Sequence, residues 1–283
     1  MAVVDFTQPA DGIGFVKGHG TRNDFVVLPD ADATLDLTPA LVTAICDRRS
    51  GIGADGVLRV VRSELEPDAV AMAGVAPWFM DYRNADGSVS ETCGNGLRVF
   101  ARYLVDAGLA SAGRFAIATR AGAVTVDIEE RGDVTVDMGA PAVFDTSVAL
   151  INGVKFDGLH VSMGNPHLVC FLDADVNSLD LTGIPEVDAA VFPNGVNVEF
   201  VNVVDPTHAI MRVHERGVGE TQSCGSGACA VAAALAVRQN AATGEWILDV
   251  PGGGLTLTLD GSNGHVSLRG PAVLVAGGHW FAG

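Results

Sequence analysis

The chain has 283 residues, 48% hydrophobic and 18% charged, and its 34 acidic against 17 basic side chains give a net charge of -17. The apolar content excludes a disordered chain, and the acid excess argues against nucleic acid, whose phosphates need a basic footprint. No apolar run approaches the ~20 residues of a membrane span. The start, MAVVDFTQPADGIG, lacks the basic-then-apolar pattern of a secretory leader. The expectation is a cytoplasmic protein with a small-molecule partner and no membrane contact.

In chain order, GHGTRNDFVVL sets Asn23 before an apolar, strand-like run. TPALVTAICDRR reads as a helix, with Thr38 as N-cap and Pro39 in the first helical position. A second helix follows Cys93 and ends near Gly108. AVTVDIEERGDVTVDMG alternates on both sides of Arg131-Gly132 and reads as a hairpin. SMGNPHLVCFL repeats the earlier arrangement, with Asn165 before an apolar run. VEFVNVVDPTHAIMRVHE is another hairpin, turning at Asp205-Pro206. An alanine-rich helix follows Cys224, and WILDVPGGGLTLTLDGSNGHVSLRGPAVLVAG is a meander of short strands.

The chain contains itself twice. MDYRNADGSVSETCGNGLRVFARYL, from Met80, aligns without a gap on MRVHERGVGETQSCGSGACAVAAAL, from Met211, at a spacing of 131 residues. Cys93 then meets Cys224, Gly94 meets Gly225 and Gly96 meets Gly227. Asn23 and Asn165 form a weaker echo at a spacing of 142. An internal repeat of this kind decides the architecture. The fold class is α+β, with two pseudo-symmetric domains, each a strongly bent sheet around one long helix. The boundary falls between Asp137 and Gly153. The halves are expected over 1–137, with a C-terminal strand from 270–283, and over 138–269.

Five cysteines and no C-x-x-C suggest free thiols in a reducing compartment. Cys46, Cys170 and Cys229 lie in apolar or helical runs and read as packing residues. Lys17 and Lys155 are the only lysines, which leaves little room for a pyridoxal Schiff base. His19, His167 and His214 lack the compact spacing of a zinc site, so no metal is expected. Neither glycine-rich turn carries the Lys-Ser/Thr of a phosphate loop.

Cys93 and Cys224 are different. Each stands at the mouth of a helix, where unpaired N–H groups carry partial positive charge. Such a position lowers a thiol pKa and binds a carboxylate. Brought face to face, two such sites offer a base and an acid on opposite faces of one Cα, the requirement for inverting a stereocentre. Helix N-termini would stabilise charge developing on the carboxylate. The competing reading is a thiol-redox or metal-binding pair.

At these residues the sequence resembles the diaminopimelate epimerases, a family of cofactor-independent amino-acid epimerases. GHGTRNDFVV, RRSGIGADG, RNADGSVSETCGNG, VSMGNPH, ERGVGETQSCGSGACA and VPGGGL stand in the family's order along nearly the whole chain. The resemblance implies two pseudo-symmetric domains, a last strand from Val273 to Phe281 returning to the N-terminal domain, a homodimer and no cofactor. It implies interconversion of LL- and meso-diaminopimelate for lysine and peptidoglycan synthesis. The alternative is a racemase or epimerase of another amino acid, such as proline or hydroxyproline. Cys93 and Cys224 match the acid/base thiols, and His167 and Glu215 match residues that adjust their protonation. Gly94, Asn95, Gly225 and Ser226 match the helix-mouth donors. Asn23, Asn84, Asn165, Asn197, Glu215 and Arg216 match the substrate shell. Two positions depart from the family pattern: Gly56 stands where Gln is frequent, and His214 where Tyr is frequent.

Overall fold

A computed structural model describes residues 12–130 and 132–281. The stretch read for a leader lies largely outside these residues, as does Arg131 of the expected hairpin turn.

The N-terminal half opens with β1 (Ile13–Gly20) and β2 (Asn23–Pro29), an antiparallel pair whose turn holds Thr21 and Arg22 at φ of 47° and 61°. Helix α1 (Pro39–Cys46) starts as expected, with Thr38 Oγ1 accepting from the Leu41 N–H at 3.2 Å. Then come β3 (Gly56–Arg62), β4 (Trp78–Asn84), α2 (Gly94–Asp106), β5 (Gly113–Thr119), β6 (Gly122–Ile128) and β7 (Val134–Asp137). The C-terminal half has β8 (Ala142–Ile151), β9 (Val154–Ser162), β10 (Pro166–Phe171), β11 (Glu186–Val187), β12 (Asn197–Asp205), β13 (His208–Glu215) and β14 (Gly219–Thr221). It continues through α3 (Gly225–Gln239), β15 (Gly244–Val250), β16 (Gly253–Leu259) and β17 (Val266–Gly270), and the chain ends with β18 (Val273–Trp280).

The pairings give the same sheet twice. One runs β18-β1-β2-β3-β4-β5-β6-β7 and the other β8-β9-β10-β12-β13-β15-β16-β17. In both, the sequence of pairings is antiparallel twice, parallel, antiparallel, parallel, then antiparallel twice. The 131-residue spacing extends past the helices: β5 and β15 start at Gly113 and Gly244, and β6 and β16 at Gly122 and Gly253. The two bent, mixed sheets bear out the expected α+β class.

Each sheet curls around its helix. Leu97, Val99, Phe100 and Leu104 of α2 are buried on several sides, as in a helix with no solvent face. Helix α3 solves the same problem with small residues, its alanines from Ala228 to Ala236 lying in the core beside Trp246, Leu255 and Leu257. The halves join where β7 pairs with β17, and Met138, just past β7, packs against both cores. A second junction is the VPGGGL stretch. Gly252 donates to the Gln222 carbonyl at 2.8 Å, and a Cβ there would lie 1.8 Å from the backbone oxygen of Thr21 in the other half.

Gly252→Ala therefore forces two backbones apart and is expected to cost about 2–3 kcal/mol or more. Gly74, whose missing Cβ would meet nothing within 4 Å, is the control: Gly74→Ala should stay within about 0.5 kcal/mol. Urea unfolding of both variants is the check.

Candidate active site

Cys93 and Cys224 occupy equivalent places. Each is an N-cap residue with extended backbone, and each Sγ accepts from the N–H three residues on, Gly96 or Gly227, at 3.4 Å. Cys93 is half-buried and Cys224 buried. The glycine three residues on permits this closeness. A Cβ at Gly96 would meet Leu58 at 3.3 Å, and one at Gly227 would meet Glu199 Oε1 at 2.6 Å.

Beside Cys93, the thiol lies 3.9 Å from Asn23 Oδ1. Chemistry fixes that orientation. Asn23 Nδ2 donates to Asp55 Oδ2 at 2.8 Å, and Arg48 holds the other Asp55 oxygen at 2.7 Å. A carboxylate only accepts, so the amide must turn its oxygen toward Cys93. Asn95 is fixed similarly. Its Nδ2 donates to Asn23 Oδ1 at 3.2 Å and to the Ser223 carbonyl at 3.1 Å, while its Oδ1 accepts from Arg98 Nη2 at 3.0 Å. Arg98 also donates to Thr21 Oγ1 at 3.0 Å, and Thr21 donates to Ser223 Oγ at 2.7 Å. The residues before Cys224 are thus tied to those around Cys93. A Cβ at Gly225 would come within 3.4 Å of the Asn95 nitrogen, so the two helix starts abut.

Beside Cys224, Ser226 Oγ lies 3.6 Å from Sγ and accepts from Asn165 Nδ2 at 3.5 Å. Asn165 Oδ1 is 3.1 Å from His167 Nε2, and His167 Nδ1 is 2.7 Å from Glu199 Oε1. The His167 and Glu199 side chains are fully buried.

The remaining expected residues line strand ends. Asn84 closes β4 and bonds Ser88 Oγ at 2.9 Å. Glu215 closes β13, where Thr221 Oγ1 donates to it. Asn197 opens β12 and accepts from the Arg216 N–H at 2.9 Å. The exposed Arg216 guanidinium reaches the Asn194 carbonyl at 3.4 Å. The structure joins Asn23, Asn95, Asn165, His167 and Ser226 to the thiols by hydrogen bonds. Among the described residues it does not so join Asn84, Asn197 or Arg216.

The electrostatics correct one expectation. Helix mouths were expected to lower both thiols, yet burial pushes Cys93 up to about 11, the Glu215 charge adding to it, against the opposing N–H groups of Gly96 and Asn95. Cys224 is raised well above its usual value by burial, with Glu215 and Glu199 adding. Loss of water outweighs the partial charges of one helix turn. Burial also raises Glu199 and Glu215.

Thr21, Asp55, Arg98, Glu199 and Ser223 were not singled out from the sequence. Glu199 follows Asn197 by two residues on one strand and so points to the same face. Ser223 directly precedes Cys224, and Asp55 lies inside the GIGADG motif. Of the two departures, Gly56 has a packing reason: a Cβ there would sit 2.5 Å from the Arg83 carbonyl oxygen. His214 is buried and its pKa lowered by that burial, so it gains charge only below the usual histidine range.

Residues 15–144 and 159–275 match the family model for diaminopimelate epimerase. The chain belongs to the diaminopimelate epimerase family. It is accordingly an isomerase. The diaminopimelate epimerase of Streptomyces coelicolor is 52% identical over 95% of this chain and 95% of the relative. That of Acidothermus cellulolyticus is 50% identical over 95% and 96%. Among solved structures, a phenazine biosynthesis protein of the PhzF family from Bacillus anthracis superposes with a TM-score of 0.70 at 17% identity, covering 95% of this chain and 99% of that one. A hydroxyproline epimerase from Agrobacterium vitis gives 0.65 at 14% identity over 94% and 90%. These two share the fold of the diaminopimelate epimerase family.

With its thiol raised to about 11, Cys93 is protonated at neutral pH. Its alkylation by iodoacetamide, followed by mass spectrometry, is expected to rise about tenfold per unit from about pH 8 to 10. A plateau below about pH 8 would show that the helix mouth, not burial, sets the thiol.

Proposed function

We propose that the chain interconverts LL- and meso-2,6-diaminopimelate without a cofactor, by proton transfer at Cα between Cys93 and Cys224. The observation that carries this reading is the pair of thiols capping two abutting helices from pseudo-symmetric halves. The family relation supports the substrate.

In this reading one sulfur removes the α-proton while the other returns a proton to the opposite face, and the roles exchange with direction. A thiolate formed against a raised pKa is the stronger base, which suits a weakly acidic Cα–H. The N–H groups of Gly94, Asn95, Gly225 and Ser226, at the two helix starts, receive the reacting carboxylate and the charge that develops on it. Asn23 and Asn165 flank the reacting centre. Asn84 and Asn197 complete the polar shell. Arg216, with its exposed guanidinium, pairs in bidentate fashion with the distal carboxylate, and Glu215 accepts from an ammonium. His167 and Glu215 adjust the protonation of the thiols.

The Glu215-Arg216 pair separates this reading from a proline or hydroxyproline racemase, whose substrate has no distal zwitterion to engage it. The two halves, 1–137 with 270–283 and 138–269, act as domains around one cleft. The working form is a cytoplasmic homodimer supplying lysine and peptidoglycan precursors.

Cys93→Ala and Cys224→Ala are each expected to lower kcat by about 10²–10⁴-fold with an unchanged circular dichroism spectrum. Substantial turnover by either variant would remove the two-thiol mechanism. Arg216→Ala should raise KM for diaminopimelate more than it lowers kcat. Proline turned over as well as diaminopimelate by the unaltered protein would replace the substrate assignment.

A further inference from the structure

Arg98 carries a charge that no neighbour balances. Among the described residues it is the largest side chain with no exposure. Its Nη2 donates to Thr21 Oγ1 and to Asn95 Oδ1, both at 3.0 Å, while Nε and Nη1 have no hydrogen-bond partner among the described residues. No carboxylate bonds it there either; the exposed Asp133 acts on it only through charge. Arg102, four residues on, shows the ordinary solution, with the carbonyls of Glu129, Glu130 and Gly132 and the Asp106 carboxylate around it. A buried cation without a counter-ion is expensive to keep, and a neutral side chain of similar size would remove the cost.

The other half of the chain holds that neutral alternative. At the 131-residue spacing Arg98 falls on Cys229, equally buried in α3. Burial raises the Cys229 thiol, so it stays uncharged. The junction of the two halves thus receives one guanidinium, and it comes from the Cys93 side.

The place of that guanidinium says what it balances. Long side chains in a helix lean toward its N-terminus. Arg98 reaches back to Asn95 in the first turn of α2 and to Thr21 in the turn between β1 and β2. A Cβ at Gly20 would lie 2.8 Å from Nη2 and 3.1 Å from the Asn95 carbonyl oxygen, so the guanidinium lies against the backbone of that first helical turn. The same turn supplies the Gly96 N–H that Cys93 Sγ accepts. Asn95 continues the path: held at its oxygen by Arg98, it donates through Nδ2 to Asn23 Oδ1, which lies 3.9 Å from the thiol. A thiolate at Cys93 would be an anion on the helix turn that Arg98 grips, and buried charges are screened little. The other groups acting by charge are Glu215 of β13 and Tyr82 of β4 on Cys93, and Cys229 and Asp133 on Arg98.

We propose that Arg98 is a positioning residue that acts through Cys93, as the buried counter-ion of its thiolate. Arg98 keeps its charge at neutral pH, since burial lowers it only to about 10. Its charge opposes the burial that raises Cys93, so removing it raises the thiol further. The consequence for turnover rests on the function proposed above; the effect on the free thiol does not.

The test uses two neutral replacements, Arg98→Gln and Arg98→Met, both shown to be folded by circular dichroism. A merely structural role predicts a loosened junction that admits water, returns the thiol toward its ordinary value and speeds alkylation. Loss of the counter-ion predicts the opposite. Without substrate, at about pH 8 to 9, alkylation of Cys93 by iodoacetamide, read by mass spectrometry, is expected to be about threefold to tenfold slower in both variants. At about pH 7 both should lose about tenfold or more in kcat/KM for diaminopimelate, while Arg98→Lys, which keeps a cation, stays within about threefold. Faster or unchanged alkylation in the neutral variants would overturn the proposal. So would a loss at about pH 7 as large in Arg98→Lys as in Arg98→Gln. Should neither neutral variant fold, Arg98→Lys decides alone. Burial makes its ammonium release the proton between about pH 7 and 9, so alkylation of Cys93 is expected to fall progressively behind that of the unaltered protein, and a constant ratio across that range would overturn the proposal. Absence of diaminopimelate turnover in the unaltered protein would instead count against the proposed function, with the alkylation result standing by itself.

Discussion

The amide of Asn95 has no spare bonding freedom. Its nitrogen reaches across to the Ser223 carbonyl and to Asn23, and its oxygen is held by Arg98, which also binds Thr21. Thr21 closes the ring of contacts by donating to Ser223. All of Thr21, Asn95, Arg98 and Ser223 are buried, so breaking one contact would strand polar atoms away from water. The position of each helix start relative to the other depends on this cluster. Glycines stand where backbone meets this cluster. Gly225 abuts Asn95, and Gly252 abuts Thr21. Arg98 makes no ion pair among the described residues, and burial lowers it to about 10. It still brings positive charge to the junction at neutral pH and partly offsets the burial that raises Cys93.

Duplication explains the frame but not the chemistry of each side. The two sheets share strand order and orientation, and the two thiols share a capping geometry. A symmetric site would treat both faces of a substrate alike. Here the supporting layers differ, with Asp55 and Arg48 behind Asn23 and His167 and Glu199 behind Asn165.

Much of this was legible in the sequence because it rested on local rules. Thr38-Pro39 opens α1 as its cap chemistry dictates, and the alternation around Asp205-Pro206 gives β12 and β13. The gapless C-G-x-G repeat located both helix starts, since a duplicated helix mouth keeps its glycines for steric reasons. What escaped was long-range. Arg98, inside a helical run, resembles a surface charge until the fold closes around it. Thr21 and Ser223 are 202 residues apart, and no local pattern pairs them. Helix polarity, which favours a thiolate, is visible in sequence, whereas the burial that raises both thiols emerges only from packing. Burial likewise decides His214, whose pKa it lowers.

The central claim, proton transfer at Cα between two thiols without a cofactor, is tested most directly by solvent exchange. Reduced protein would be incubated with LL-diaminopimelate in heavy water, with no metal or pyridoxal phosphate added. Proton NMR would follow the α-proton while the stereoisomers are separated. The account predicts loss of the α-proton signal with deuterium at Cα of the meso product as it forms. Meso product that keeps the original α-proton, or no exchange in folded protein with both thiols free, would contradict it.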